Sequence, residues 1–217
     1  MDEALLLAFV SFDLREMMLR LPVVLFALTV HEFAHAYSAH KLGDDTAKSL
    51  GRMTLNPLDH LDPMGTICIM FAPIGWAKPV PVDKRNFRNP GRDDIIVSIA
   101  GPISNLILAT GFAMGMRIFS HIALANEPLS NAISEVLWLG LLVNVGLACF
   151  NMIPVFPLDG HHVVRELLPP GPRISYMKHV PFGPFIILGM VLLVPQFLTV
   201  LILPVVKFYL RFIAGIG

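Results

Sequence analysis

Two histidines four residues apart, with a glutamate after the first, make His31-Glu32-Phe33-Ala34-His35 the most chemically pointed run in the chain. On a helix, positions i and i+4 share a face, so both imidazoles can reach one metal ion. Glu32 lies beside that face, where it can take a proton from a water that the metal has acidified. Zinc lowers the pKa of such a water from ~15.7 to about 7. The bland alternative is a polar helix end carrying two solvated histidines. Against it stands the run just upstream, LPVVLFALTV from Leu21 to Val30. Ionisable groups are costly inside an apolar span and mark function there.

A catalytic zinc takes three protein ligands and keeps one position open. His40 is nine residues past His31, about 180° around the helix, and points away. It also misses the ten-residue spacing of the extended zincin motif, where Lys41 stands. The best candidate for the third ligand lies in Asn151-Met152-Ile153-Pro154-Val155-Phe156-Pro157-Leu158-Asp159-Gly160. Two prolines should end the helix there and leave Asp159 at a turn with Gly160, and a carboxylate is an acceptable zinc ligand. By itself an Asp-Gly pair after such a stretch is only a turn. Its expected position, on the same side of a membrane as His35, is what ties it to the histidines.

The elements that must position these residues are membrane helices. Of the 217 residues, 55% are hydrophobic and 15% charged, and the mean hydropathy is +0.68. A soluble domain carries about a quarter charged residues. Four segments suit a bilayer crossing of about 20 residues: Leu21 to His40, Ile95 to Phe119, Ala132 to Ile153 and Phe182 to Val206. Pro195 should kink the last or divide it in two. The fold class is therefore an all-α polytopic helix bundle of about four to six helices. With no repeat or low-complexity tract, residues 1–217 read as a single transmembrane domain.

Net charge is zero, yet eight of the sixteen Lys and Arg residues lie between Lys41 and Arg92. Arg165, Arg173 and Lys178 follow the third span, and Ser120 to Asn131 holds no basic residue. That asymmetry reads as topology, with both basic loops cytoplasmic, rather than as a nucleic-acid patch. Arg15, Arg20, Lys207 and Arg211 fall on the other side in this reading. Gly65 to Val82, GTICIMFAPIGWAKPVPV, is apolar but rich in Gly and Pro. Its alternation suggests a short membrane-associated β-hairpin or re-entrant segment. Ala4 to Val10 lacks the basic flank of a signal peptide and reads as a retained interfacial segment. Cys68 and Cys149 form no metal or redox spacing.

Taken together, HEFAH with Leu42 to Asp44, GRMTLNPLDHLDP (Gly51 to Pro63), GWAKPVPV (Gly75 to Val82), AGPISN (Ala100 to Asn105) and FNMIPVFPLDG (Phe150 to Gly160) resemble the site-2 protease family of intramembrane metalloproteases. The resemblance covers nearly the whole chain, in a minimal form without a PDZ or nucleotide-sensing domain. It implies His31, His35 and Asp159 as ligands of Zn²⁺ and Glu32 as catalytic acid and base. It also implies Asn151 as a polar residue near the substrate carbonyl, able to donate to the developing oxyanion. His60 stands where the family also places a histidine, whereas His161 and His162 depart from the small or basic residues usual after the Asp-Gly pair. Both could approach the metal or simply begin a helix. Asn105 and Asn144, inside spans, read as interhelical packing, with a substrate-facing role open for Asn105.

The expected activity is hydrolysis of peptide bonds in or near transmembrane segments of membrane-protein substrates, in a multi-pass protein of the cell membrane with its site toward the cytoplasm. A substrate helix must unwind first, and the Gly65 to Val82 segment could receive the unwound strand by edge pairing. Two rivals are a membrane metallohydrolase of small or lipid substrates and a non-proteolytic zinc-binding membrane protein. Glu32 argues against the second, because a structural site needs no general base.

Overall fold

The computed structural model describes residues 14–71, 75–122 and 126–216. The Ala4 to Val10 segment lies outside the described residues. Helix α1 spans Leu14–Lys41, and a short α2, Thr46–Ser49, follows it. A 3₁₀ turn at Pro57–His60 leads to α3, Pro63–Phe71. A second at Lys84–Asn86 leads to α4, Pro90–Phe119. Helix α5, Glu127–Asn151, is capped by Asn126, whose side chain accepts from the Leu129 N–H. Then come α6 (Asp159–Leu167), α7 (Pro170–Met177), α8 (Gly183–Leu193) and α9 (Pro195–Phe208), which ends in a π-helical turn, Tyr209–Ala214.

Among the described residues, five stretches are long and apolar enough to cross a membrane: Met18–Lys41, Pro90–Phe119, Glu127–Asn151, Pro170–Leu193 and Gln196–Ala214. The expected division of the last apolar segment occurs at Val194–Pro195, since proline cannot continue a helix and restricts the residue before it.

The β-hairpin expected over Gly65 to Val82 is not formed. Among the described residues there is no strand, only an isolated antiparallel bridge between Leu61 and Ala77. The apolar half, which begins at Pro63 and is capped by the Asp62 carboxylate accepting from the Gly65 N–H at 2.8 Å, is helix α3. The other half runs as an irregular extended segment, residues 75–83. Pro79 and Pro81 remove the N–H donors that a ladder there would need. Residues 72–74 lie outside the described residues.

Helices α4 and α5 are antiparallel and packed through small residues, as membrane helices require where no water drives them together. A Cβ on Gly140 would sit 2.3 Å from the Phe112 ring, and one on Gly115 would sit 2.9 Å from Leu137. The main core joins Ala109 and Ala113 of α4 to Leu141, Leu142 and Val145 of α5 and to Ile202, Val206 and Tyr209 of the last helix. Val23 and Ala27 bring α1 against Val143 of α5. The outcome is a scaffold of α1, α4 and α5 with α6 laid across its end.

Candidate metal centre

His31 and His35 lie inside the first span, ten and six residues before its end at Lys41. At 1.5 Å per residue that is roughly 9–15 Å below the helix end. Both are buried, at 4% and 8% exposure. Their Nε2 atoms are 3.0 Å apart, and the rings meet edge to face with centroids at 4.6 Å. Asp159 closes the triangle, with Oδ2 at 3.2 Å from His31 Nε2 and Oδ1 at 3.3 Å from His35 Nε2.

The other ring nitrogens decide what these atoms are. His31 Nδ1 is 2.6 Å from the Asn105 Oδ1 atom, and His35 Nδ1 is 2.7 Å from the Val97 carbonyl. Both partners accept, so each histidine carries a proton on Nδ1, and Nε2, the nitrogen that faces Asp159, is the one left to bind a metal. Asp159 Oδ2 is a buried oxygen with no donor. Two imidazole nitrogens and a carboxylate gathered at 3.0–3.3 Å are the donor set that a shared cation would hold together. Ligands about 2.0–2.1 Å from a tetrahedral zinc stand roughly 3.3 Å apart. The donor set and its spacing fit zinc, and among the described residues this trio is the one His/Cys/Asp/Glu group gathered closely enough to hold an ion.

Two glycines make the approach possible. Gly101 of α4 lies under the imidazoles, where a Cβ would come within 2.4 Å of His35 Nε2 and 2.6 Å of His31 Nε2. Gly160 lets α6 begin against α5, since a Cβ there would sit 2.3 Å from the Met152 carbonyl. Asp159 is thus the first residue of a helix rather than part of the expected turn. That helix is tied to the start of α4. Asp94, almost fully buried, accepts from Arg165 at 2.8 Å and from Lys84 at 2.6 Å. Glu166 pairs with Arg165 at 2.9 Å and with Arg173 at 3.3 Å. Glu32 is half-buried, and its Oε2 accepts from the Val80 N–H at 2.9 Å.

With this geometry stands a match of the peptidase family M50 model to residues 20–180, a range that contains every one of these side chains. The chain belongs to peptidase family M50. It is 44% identical over 158 residues to "Putative zinc metalloprotease YwhC" of Bacillus subtilis (strain 168), covering 72% of each chain. It is 29% identical over 180 residues to "Putative zinc metalloprotease Rip2" of Mycolicibacterium smegmatis, covering 79% of this chain and 65% of that one. "Zinc metalloprotease MJ0392" of Methanocaldococcus jannaschii is 27% identical over 152 residues, of which this chain spans 34% of the length. No solved structure matches the chain.

The remaining polar residues of this M50 chain fall outside the trio. Asn151 ends α5 with its amide donating back to the Leu147 carbonyl at 3.0 Å. His60 is buried with Nε2 on the Thr54 carbonyl at 2.9 Å, and its own carbonyl accepts from Lys78 N–H at 2.9 Å, fixing the extended segment. His161 stacks on Tyr176, with Nδ1 3.1 Å from the phenol oxygen, and that phenol donates to the Pro154 carbonyl. His162 Nδ1 is 3.8 Å from Asp94, and burial holds this imidazole below its usual range. His40 pairs with Asp45, facing away from the site as its spacing predicts. Sequence reading assigned Asn105 to packing or substrate and gave Gly101 no metal role. The available signal was a Gly-Pro followed by an Asn within an apolar span.

Proposed function

We propose that this chain is an intramembrane zinc metalloprotease in which His31, His35 and Asp159 hold the zinc and Glu32 is the general base and acid. The observation that carries the reading is the convergence of three ligand atoms at 3.0–3.3 Å, with the Nδ1 of both histidines engaged elsewhere so that Nε2 faces the site. When bound, zinc polarises the scissile carbonyl and acidifies water beside it. Glu32 takes the proton from the attacking water and passes it to the leaving amine. Val80 N–H holds the Glu32 carboxylate in place beside the ligands.

A helical substrate has no free carbonyls, so it must unwind before it reaches Glu32. Asn151, at the end of α5, is the residue whose amide would donate to the developing oxyanion. The basic residues of Lys41 to Arg92 and of Arg165 to Lys178 favour a site that faces the cytoplasm of the cell membrane. Membership of a peptidase family and relatives named as zinc metalloproteases favour this reading over a small-molecule metallohydrolase or a non-catalytic zinc protein.

The test uses detergent-purified protein and a panel of single-span substrates, with zinc measured on the same preparations. Wild type should carry about one zinc per chain and cleave. His31→Ala and Asp159→Ala should lose zinc and activity together. Glu32→Gln should keep zinc and lose roughly 10²–10⁴-fold or more in rate. Full zinc retention in Asp159→Ala would remove that residue from the ligand set, and near-normal cleavage by Glu32→Gln would contradict the mechanism.

A further inference from the structure

Asn144 lies on α5, wholly buried, and belongs to none of the groups that touch the metal trio. Its side chain nonetheless connects to that trio through one intermediary. Asn105 Nδ2 donates to Asn144 Oδ1 at 2.9 Å and to the Ala27 carbonyl at 3.2 Å. Asn144 Nδ2 donates to the Gly140 carbonyl at 2.8 Å. Asn105, also wholly buried, then offers Oδ1 to His31 Nδ1 at 2.6 Å. We propose that Asn105 and Asn144 form a two-amide relay that locks His31 in its metal-binding tautomer, making Asn144 a positioning residue for the zinc.

The argument concerns direction. A carboxamide rotated by 180° exchanges its donor and acceptor with almost no change in shape. A flipped Asn105 would present its NH₂ to His31 Nδ1. That nitrogen would then have to accept, and the ring proton would move to Nε2, pointing into the trio and blocking a metal. Two backbone carbonyls, which can only accept, forbid the flip. Gly140 O requires the Asn144 NH₂, which turns Asn144 Oδ1 toward Asn105. Ala27 O and Asn144 Oδ1 together require the Asn105 NH₂. Only the Oδ1 atom of Asn105 is left for His31. The polarity of the chain is fixed at α5 and delivered to α1 through α4, so three spans cooperate in one tautomer. His35 needs no such device, because its Nδ1 faces a carbonyl directly.

This inference rests on the zinc reading above, and a thermodynamic cycle on zinc affinity tests it without using proteolysis. An alanine at position 105 offers His31 no amide, so nothing is left for Asn144 to orient. In the wild-type background, Asn144→Ala should weaken zinc about tenfold, within the 10–100-fold range known for outer partners of metal-bound histidines. In the Asn105→Ala background, the same Asn144→Ala change should alter zinc affinity by less than about twofold. Chelator competition on purified, monodisperse protein gives the affinities, and the absorption spectrum of the cobalt-loaded protein reports the ligand field. Thr110→Val, which removes a hydroxyl bonded to Leu106 and Tyr209 elsewhere on α4, controls for general loosening and should leave affinity unchanged.

If Asn144→Ala yields no folded protein, the near-isosteric Asn144→Leu takes its place in the cycle. Equal weakening in both backgrounds, or none in the wild-type background, overturns the relay. Zinc held at wild-type affinity by His31→Ala would instead overturn the metal site itself, so the two failures are distinguishable.

Discussion

The Val80 backbone N–H donates to the Glu32 carboxylate at 2.9 Å, across 48 positions of sequence. It binds an extended segment outside the helix bundle to the one acidic side chain in the His31–His35 turn. Pro79 and Pro81 flank Val80, so residues 79–81 contain a single backbone donor, and Glu32 receives it.

Val80→Pro deletes that donor and nothing else of the polar framework. Residue 79 already precedes a non-helical segment, and proline favours extended backbone before it. A hydrogen bond to a charged group contributes about 1.5–3 kcal/mol, equivalent to roughly 10–100-fold. Turnover of a single-span substrate should fall by that factor with zinc content unchanged, while Val80→Ala, which keeps the N–H, should stay near wild type. Equal activities for the two variants would show that Glu32 does not depend on this contact.

Gly101→Ala should abolish zinc binding with little effect on helix formation, because alanine is the better helix former. The added methyl would lie 2.4 Å from His35 Nε2 and 2.6 Å from His31 Nε2, in the space the two imidazoles occupy. Gly111→Ala on the same helix, where nothing lies within 4 Å of the new Cβ, is the matched control and should retain metal. Metal analysis and far-UV circular dichroism on both variants check the claim. A zinc-replete Gly101→Ala would mean that α4 can retreat from α1.

What was legible in the sequence was local or periodic. The i, i+4 histidines announce themselves because a helix converts spacing into a shared face, and the apolar spans follow from length alone. Asp159 was singled out because it follows the two prolines after α5 on the same side of the membrane as His35, and because the site-2 protease resemblance implies it as the third ligand. The direction of Asn105 was not legible. An Asn in a span signals a partner, but choosing His31 over lipid-facing or substrate-facing alternatives requires knowing that α4 crosses α1 at Gly101. The hairpin reading failed for a different reason. β-Branched residues and alternation in Gly65 to Val82 outweighed the prolines, when the prolines and the Asp62 cap were the stronger instruction.

Topology makes a separate prediction. Cys68 and Cys149 are free and can be replaced by alanine before single cysteines are introduced at Arg85 and at Leu167, both exposed in the structure, and at Ser120. An impermeant maleimide should label the first two only from the cytoplasmic side and the third only from outside, as the distribution of basic residues requires. Labelling of position 85 from outside would invert the protein and carry the metal site with it.

Asp44 offers a pH test remote from the metal. It is fully buried at the end of α1. It accepts from the Asp83 N–H at 2.7 Å and the Asn86 amide at 2.8 Å, and also from the Thr46 N–H and hydroxyl. Burial alone would push its carboxyl up. The Thr46 hydroxyl, the Asn86 amide and the two backbone N–H groups outweigh that and hold it below the usual carboxylate range. A depressed folded pKa means the unfolded chain takes up the proton first as pH falls. The stabilisation is therefore fully present above the unfolded value of about 3.9 and is lost as pH falls through the lower folded value. Asp44→Asn puts an NH₂ among donors and should destabilise the protein by about 1–3 kcal/mol at pH 7. Thermal unfolding in detergent between pH 7 and pH 3 should show a constant gap between wild type and variant down to about pH 4. Below that the gap should narrow, because only the wild type loses a paired carboxylate. A gap that widens toward low pH would contradict the assignment of Asp44 as the ionised acceptor that fastens the Asp83–Asn86 loop to the end of α1.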